Sequence, residues 1–433
     1  MLRGVLSTIV LCWLGLSLLC SLQVVLPART QTLWALTVLV KESSVLVTAF
    51  ALLGLVLVPL VHLSGAPKRA MIAAALGAAA ISLSLAPVAQ AWRTASAEGV
   101  SLSLSEHFAD RSFTVDREPE TATYAYTGGE ELELDVWRPP GGTSAVDEPG
   151  GRPAVVLVHG GGWRTGYPSK TPRWDAWLAE QGYVVFDIEY RLAPPPRWLD
   201  APGDVKCAVG WVKRNAARYD VDPDRVALIG HSAGGHLALL SAYTEGDDRL
   251  PPSCAVEDTG VSAVAAFYPP TDLRRLYGME WPWSSPNVVG LGSTTAFIGG
   301  TPSTRPARYR DASPTAHVNP GDPPTFLVHG GADRLVPPEQ SERLAERLRG
   351  AGVPHRFVEL PWANHSFDHA FDLSWSGWGS QITRSALEEF LDHNLAAQSV
   401  SDHGYEPDGA GSRSPSHGAS DRAYVGVRWA PLR

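Results

Sequence analysis

The 433-residue sequence lacks the residue clusters that most cofactor and nucleic-acid sites require. It contains no cluster of Cys, His and Asp at metal-ligand spacing, no phosphate-binding loop and no dinucleotide-binding fingerprint. Its net charge of −9 is spread along the chain without acidic or basic runs, and lysine is scarce, with 5 residues against 31 arginines. These absences predict a protein without cofactor, metal or nucleic-acid partner.

Cysteine is also rare, with four residues in the whole chain. Cys12 and Cys20 lie within the first apolar run, whereas Cys207 and Cys254 lie far outside it. Two cysteines in an exported domain can pair, but the sequence does not give their separation. A disulfide and two buried thiols therefore both stay open.

Charged residues are missing from three long apolar runs near the N-terminus, at 5–26, 44–63 and 70–91. Each run is long enough to cross a hydrocarbon core of about 30 Å. Three such runs in succession exclude a single cleaved signal peptide. The sequence predicts a membrane anchor over residues 1–95 with three spans. In the alternative, the Ala-rich third run is an amphipathic or buried helix and only two spans cross.

The segment 32–40 is apolar too, but Lys41 and Glu42 interrupt it, so we predict a short interfacial stretch there. Basic residues give a weak indication of orientation. Three spans place Arg3 and the pair Lys68 and Arg69 on the same side, which the positive-inside rule makes cytoplasmic. The sequence thus predicts a multi-pass cell-membrane protein whose C-terminal domain is extracytoplasmic.

A glycine-flanked serine follows a predicted buried strand at 225–230 and precedes a predicted helix at 232–244. Ser232 falls in the turn between them, within Gly230-His-Ser-Ala-Gly234. Strand and helix approach closely in such a turn, which holds the hydroxyl clear of its own backbone. We predict Ser232 as a nucleophile, with the amide of Ala233 at a helix N-terminus directed towards an oxyanion.

A second motif, His159-Gly-Gly-Gly-Trp163, follows a predicted strand at 154–159. Three successive glycines allow bare backbone N–H groups to face one point, so Gly161 and Gly162 are predicted as further oxyanion donors. The alternative for both motifs is a pair of flexible loops after strands. The two motifs in this order make that alternative the weaker one.

A serine nucleophile needs a base, and the base needs an orienting acid. Asp333 lies in the loop after a predicted strand at 324–329, and it is our candidate acid; the alternative is a helix N-cap. His365 lies after a predicted strand at 355–360, and it is our candidate base. His369 is its rival, and His355, inside the strand, is a poorer candidate.

Several motifs together resemble the α/β-hydrolase carboxylesterases of the hormone-sensitive-lipase type and the related feruloyl-esterase-like branch. They are His159-Gly-Gly-Gly-Trp163, Tyr190-Arg-Leu-Ala-Pro194, Asp204-Val-Lys206, Asp222-Pro-Asp-Arg225 and Gly230-His-Ser-Ala-Gly-Gly-His236. The resemblance covers about residues 115–397 and implies the same nucleophile, acid, base and oxyanion donors. His231 stands where many lipase-type members have Asp or Glu, which favours the feruloyl-esterase-like branch. We predict that its side chain points away from the nucleophile.

Strand and helix patterns alternate through the predicted hydrolase domain at 113–397. Strands are predicted at 132–137, 154–159, 183–189, 225–230, 261–268, 324–329 and 355–360. The alternation predicts an α/β fold with a mostly parallel sheet and helices on both faces. It breaks at 272–319, where we predict a lid or pocket wall. The polar, Gly/Ser-rich residues 398–433 are predicted to be a disordered tail.

Tryptophans lie on the proposed catalytic loops or in the break, and they predict an aromatic substrate pocket. The candidates are Trp163, Trp281, Trp283 and Trp362. Core packing is the alternative for each. The full sequence predicts a serine carboxylesterase that forms an acyl-enzyme and acts on small-molecule or lipid esters. An arylformamidase, a prolyl-oligopeptidase-type peptidase and a non-catalytic hydrolase-like binding protein are the alternatives.

Overall fold

The computed structural model describes residues 2–26, 30–108, 117–140, 150–278, 291–369 and 376–396. The predicted tail at 398–433 lies outside these ranges, as do Trp281 and Trp283.

The N-terminal part of the chain is helical. Its helices are α1 (Leu2–Leu22), α2 (Gln31–Glu42), α3 (Ser44–Val56), α4 (Val58–Leu63) and α5 (Pro67–Glu98). Three stretches, Gly4–Leu22, Ser44–Leu63 and Pro67–Glu98, are long and apolar enough to cross a membrane. The middle one is broken at Leu57, two residues before Pro59, which has no N–H to donate. The predicted interfacial stretch forms α2.

Small residues bring these helices together. Along α5 the buried positions recur every three or four residues and include Ala73, Gly77 and Ser84. A Cβ on Gly77 would lie 2.9 Å from the Cδ1 atom of Leu55, so only glycine fits without a shift. Thr48 donates a hydrogen bond to the Ser84 hydroxyl over 2.7 Å. Close packing of small residues and interhelical hydrogen bonds are typical of membrane helices.

An eight-stranded sheet follows the bundle and the short helix α6 (Leu104–His107). Its strands are β1 (Glu120–Thr127), β2 (Glu130–Trp137), β3 (Arg152–Val158), β4 (Val184–Ile188), β5 (Val221–His231), β6 (Ala263–Phe267), β7 (Thr325–Gly330) and β8 (His355–Leu360). The strand order is β1-β2-β4-β3-β5-β6-β7-β8. Strand β2 pairs antiparallel with β1 and β4, and the strands from β4 to β8 pair in parallel. The predicted mostly parallel sheet is confirmed, and β1 is an addition to it.

Helices cover both faces of this sheet. They are α7 (Pro172–Glu180), α8 (Asp200–Arg214), α9 (Ala216–Tyr219), α10 (Ala233–Ala242), α11 (Leu273–Gly278), α12 (Leu291–Ile298), α13 (Pro306–Asp311), α14 (Glu339–Ala351) and α15 (Trp378–Asn394). Alternate residues of β3 belong to different cores, because successive strand side chains point to opposite faces. Val156 packs in the core with α8, α10 and α14, and Val155 packs in the core with α7 and α15.

The break in the pattern at 272–319 is partly helical. Leu273 in α11, Phe297 in α12 and Tyr309 in α13 are fully buried and join the core formed with α8 and α10. These three side chains fix the described part of the segment to the domain. Residues 279–290 lie outside the described ranges, and the lid role stays a prediction.

Cys207, in α8, and Cys254 are joined by a disulfide across a Cα–Cα distance of 5.5 Å. Of the two alternatives left open by the sequence, the structure therefore favours the disulfide.

Helix α5 connects the bundle to the sheet. Its last turns contribute Ala91 and Ala95 to the core shared with α15. The Glu98 carboxylate forms a salt bridge over 2.9 Å with Arg356, which lies near the start of β8. Pro361, just after the end of β8, shares a cavity with Gln90, earlier in α5. Helix α5 thus runs antiparallel to β8, and the carboxyl edge of the sheet faces the helical bundle.

Candidate active site

The turn between β5 and α10 carries Ser232 with φ 53° and ψ −116°, a conformation that non-glycine residues rarely adopt. Glycines on both sides make the turn possible. A Cβ on Gly230 would collide with the backbone carbonyl of Gly234, and a Cβ on Gly234 would collide with that of Val158. The Ser232 N–H donates to the Phe267 carbonyl over 2.8 Å, which ties the strained residue to β6.

The structure brings Ser232, His365 and Asp333 together in one hydrogen-bonded chain. The Nε2 atom of His365 lies 2.9 Å from the Ser232 hydroxyl oxygen, and its Nδ1 atom lies 2.7 Å from Oδ2 of Asp333. All three side chains are buried, with exposed fractions of 6%, 3% and 3% for serine, histidine and aspartate. With Nδ1 donating to the carboxylate, Nε2 is free to accept the serine proton.

Asp333 is held as a carboxylate by its donors. Its Oδ1 atom accepts from the N–H groups of Leu335 at 2.8 Å and Val336 at 2.9 Å. Burial alone would raise the pKa of Asp333, but the charge of His365 and hydrogen bonds from His329 and His365 outweigh burial and lower it below the ordinary value. The carboxyl therefore stays ionised at neutral pH.

The rival histidines lie elsewhere. The Nδ1 atom of His369 lies 3.1 Å from Oδ1 of Asp368 and 3.2 Å from the Tyr268 hydroxyl. His355 begins β8, and its Nδ1 donates to the Val353 carbonyl over 2.9 Å. Of the three candidate bases, only His365 makes a hydrogen bond to the nucleophile.

The glycine loop lies directly beside Ser232. A Cβ on Gly160 would lie 3.3 Å from that of Ser232. Gly161 and Gly162 have φ values of 134° and 61°. Within the described ranges neither of their N–H groups donates to a backbone carbonyl. Ala233 opens α10, where the first N–H groups of a helix have no intrahelical partner. The N–H groups of Gly161, Gly162 and Ala233 thus come from two backbone segments beside Ser232, and their role as oxyanion donors stays a prediction.

Trp163 fixes the end of the glycine loop from inside the core. It is fully buried and stacks on Phe297 at a centroid distance of 4.8 Å. Its Nε1 donates to Nδ1 of His236 over 3.1 Å, and His236 Nε2 donates to the Ala312 carbonyl over 2.7 Å. Burial lowers the pKa of His236 to about 4, so the ring is neutral. This packing matches the core alternative for Trp163, and its role in a substrate pocket stays a prediction.

Residues 134–348 match the family model described as BD-FAE. The structure is also similar to a truncated form of carbohydrate esterase from gut microbiota, with a TM-score of 0.53, 22% identity and coverage of 66% of this chain and 99% of that one. This chain has the α/β-hydrolase fold. Another similar structure is that of Thermogutta terrifontis esterase 2 phosphoramylated by tabun, with a TM-score of 0.50, 26% identity and coverage of 65% of this chain and 97% of that one.

Two curated relatives come from Mycobacterium tuberculosis (strain ATCC 25618 / H37Rv). The probable carboxylic ester hydrolase LipM is 35% identical over 272 residues, which is 62% of this chain and 60% of LipM. The esterase LipQ is 34% identical over 269 residues, 61% of this chain and 60% of LipQ. The chain thus matches about 60% of the length of each relative.

A second buried carboxylate beside the site was not predicted from the sequence. Asp368 accepts hydrogen bonds from the Tyr268 hydroxyl at 2.7 Å and from Trp174 Nε1 at 2.8 Å. The Tyr268 ring packs against the ring of His365 at a centroid distance of 4.5 Å. Asp368 is therefore linked to the ring of His365, the candidate base, through Tyr268. The only signals for these residues are that Asp368 follows His365 by three positions and that Tyr268 directly follows a buried strand.

His231 packs beside this carboxylate, with its Nε2 atom 3.3 Å from Oδ2 of Asp368. Ligand atoms of His231, Asp368 and His369 all lie within 4.8 Å of one another, a spacing that a metal ion could bridge. Both oxygens of Asp368, however, already accept hydrogen bonds from Tyr268 and Trp174. The carboxylate is thus engaged by tyrosine and tryptophan donors, whereas both ring nitrogens of His231 are buried without a hydrogen-bond partner among the described residues.

Trp362, the remaining described pocket candidate, is 2% exposed. It lines a cavity of about 270 Å³ between the helical bundle and the loops that carry Asp333 and His365. Trp362 thus lies beside the loops of Asp333 and His365, on the side of the helical bundle, and its role in a substrate pocket stays a prediction.

Proposed function

We propose that the chain is a membrane-anchored serine carboxylesterase that hydrolyses small-molecule or lipid esters through an acyl-enzyme. The observation that carries this proposal is the hydrogen-bonded chain from Ser232 through His365 to Asp333, with distances of 2.9 Å and 2.7 Å. A non-catalytic protein on a hydrolase scaffold does not need a nucleophile, a base and an acid joined by hydrogen bonds in this way.

The mechanism follows from the roles of these groups. His365 accepts the proton of Ser232 as the hydroxyl attacks the ester carbonyl, and Asp333 stabilises the imidazolium that forms. The N–H groups of Gly161, Gly162 and Ala233 stabilise the oxyanion. The alcohol leaves with the proton from His365, and water, activated by the same histidine, then hydrolyses the acyl-enzyme. Loss of one oxyanion donor typically lowers the rate by about 10²–10³.

The names of the relatives support ester cleavage as the reaction. LipM is described as a probable carboxylic ester hydrolase and LipQ as an esterase. The Thermogutta esterase is described as phosphoramylated by tabun, an organophosphorus adduct of the kind that an activated serine forms. We extend ester hydrolysis to this chain on those names together with the geometry of its own triad.

Membrane anchoring by three spans is the second part of the proposal. An odd number of spans places the hydrolase domain across the membrane from the N-terminus. The disulfide between Cys207 and Cys254 supports an oxidising, extracytoplasmic location for that domain, since structural disulfides are rare in reducing cytosol. A reporter active only in the cytoplasm, fused at the C-terminus, should give no signal; a strong signal reverses this orientation.

The reaction is tested with the detergent-purified full chain. Its turnover of p-nitrophenyl butyrate should exceed that of a formyl-anilide and of a prolyl peptide anilide, and Ser232→Ala should abolish all three. Preference for the formyl-anilide would instead identify an arylformamidase, and preference for the prolyl substrate a peptidase. No turnover of any ester, over a series of acyl-chain lengths, would leave the non-catalytic alternative.

A further inference from the structure

A cavity of about 270 Å³ separates the helical bundle from the loops of the acid and the base. One wall is formed by residues after α1, by α2 and by α5; the other is formed by neighbours of the triad. The lining residues are Val24, Val25, Leu26, Thr37, Lys41, Ala86, Gln90, Gly331, Ala332, Arg334, Pro361, Trp362 and Asn364. The volume is just below the roughly 300–1,000 Å³ of pockets for whole drug-sized ligands, so it suits a headgroup-sized ligand.

Three segments independently place this cavity at the depth where lipid headgroups lie. The apolar stretch Gly4–Leu22 is 19 residues long. At 1.5 Å per residue it spans about 28 Å, close to the hydrocarbon thickness, and the lining residues 24–26 come just after it. In α5, Ala86 lies about 28 Å from Pro67 by the same rise. Lys41 precedes the stretch Ser44–Leu63 that returns into the membrane.

Several polar groups at the cavity are donors without partners among the described residues. Lys41 is 7% exposed, and within the described ranges its ammonium has neither a hydrogen bond nor an ion pair. Trp362 Nε1 and Asn364 Nδ2 are buried and also unpartnered. Arg334 adds a second cation, and none of the lining residues is acidic. Buried, unpaired donors are costly unless an acceptor meets them, and an anion supplies several acceptors at once.

The nearest acid does not neutralise Lys41. Burial raises the pKa of Glu42 to about 8. The charge of Lys41 offsets part of this rise, and the charge of Asp368 adds to it. The Glu42 carboxyl is therefore mostly protonated at neutral pH. Burial, together with Arg334, lowers the pKa of Lys41 to about 8 despite Glu42, so most of its ammonium stays charged there. The site therefore carries net positive charge.

We propose that this cavity binds the anionic headgroup of a membrane lipid. The phosphate oxygens accept from Lys41 and Arg334, and the buried donors of Trp362 and Asn364 complete the shell. The inference goes beyond ester hydrolysis and rests only on the proposed membrane anchoring. A lipid held there joins the anchor to the loops of Asp333 and His365, and it stabilises their contact.

Binding is tested on the detergent-purified full chain without ester substrate. Dioleoylphosphatidylglycerol, dioleoylphosphatidylcholine and inorganic phosphate are titrated separately, with thermal stability and native mass spectrometry as readouts. The variants are Lys41→Gln and Arg334→Gln. Lys68→Gln, an exposed cation near the start of α5 and distant from the cavity, is the matched control.

We expect the anionic lipid to raise the melting temperature more than phosphatidylcholine does. Lys41→Gln and Arg334→Gln should weaken that binding by about tenfold or more, as expected for a lost charge-assisted hydrogen bond, while Lys68→Gln leaves it unchanged. Equal binding of both lipids, or wild-type affinity in the two cavity variants, overturns the proposal. If inorganic phosphate alone raises the melting temperature as much as the anionic lipid does, the ligand is a soluble anion and not a lipid headgroup.

Because Arg334 is exposed, its substitution keeps the test valid even where Lys41→Gln does not fold. Repeating the titration on Ser232→Ala separates this proposal from the esterase activity. Binding that persists in Ser232→Ala shows that the lipid site does not depend on turnover. A wild-type chain that binds the anionic lipid selectively but hydrolyses no ester would refute the esterase and support the lipid site. Normal ester turnover in a wild-type chain that does not distinguish the two lipids would support the esterase and refute the lipid site.

Discussion

The substitution Asp333→Asn tests whether the acid sets the tautomer of the base. In the wild type, Oδ1 of Asp333 accepts two backbone N–H groups, at 2.8 Å and 2.9 Å, and Oδ2 accepts from His365 at 2.7 Å. Asparagine has only one oxygen. The two backbone donors hold that oxygen in the Oδ1 position, so the NH₂ group faces the imidazole.

An NH₂ group facing Nδ1 requires that nitrogen of His365 to become an acceptor, and the ring proton moves to Nε2. Nε2 then cannot accept the proton of Ser232, 2.9 Å away. A loss of this kind lowers kcat by about 10⁴ in a comparable triad, which is about 5.4 kcal/mol of transition-state stabilisation. The side chain keeps its size, so the fold should be retained.

The assay is the kcat for p-nitrophenyl butyrate, with near-UV circular dichroism to verify folding. Asp322→Asn is the matched control, because Asp322 accepts a backbone N–H from Asn319 at 2.8 Å and precedes β7, at the opposite edge of the sheet. Its kcat should stay within about twofold of wild type. A folded Asp333→Asn variant with kcat within tenfold of wild type would refute the tautomer argument.

Three further predictions follow from described contacts. His365→Ala should lower kcat by at least about a thousandfold and His369→Ala by less than tenfold, because only His365 bonds the serine; equal losses contradict this. Replacing Cys207 and Cys254 by alanine should lower the free energy of unfolding by up to about 4 kcal/mol, since the disulfide closes a loop with a sequence separation of 47, and an unchanged urea midpoint argues against it. Because the folded chain raises the pKa of Glu42 to about 8, it binds this proton more tightly than the unfolded chain, so stability falls as pH rises from about 4.5 to about 8. Glu42→Gln removes that loss, so the melting temperature of the variant minus that of the wild type should be larger at about pH 9 than at about pH 6. The same difference at both pH values would contradict this.

Strongly patterned elements were predictable from the sequence. Strands β3 and β7 are continuous apolar runs, which is typical of parallel strands buried on both faces. Strand β1 was missed because Glu120–Thr127 is an edge strand whose side chains are largely polar and only partly buried. The break at 272–319 was predicted as a lid, but its buried apolar residues become evident only when α11 to α13 pack on the core.

The candidate site also has a part that was predictable from the sequence and a part that was not. Ser232 lies in a motif whose glycines are required by backbone contacts within a few residues, so its position was predictable. Asp368 and Tyr268 meet across 100 residues of sequence, and only the fold brings their side chains together. The cavity at Lys41 likewise depends on how the bundle packs against the sheet edge, which no local pattern specifies.

Active-site titration with a fluorophosphonate most directly tests the central claim that Ser232 is an activated nucleophile. Peptide mass spectrometry should find about one equivalent of phosphonate per chain, on Ser232 and in step with the loss of ester turnover, and His365→Ala should label far more slowly. Stoichiometric labelling at another residue, or full turnover after Ser232 is replaced by alanine, would contradict the account.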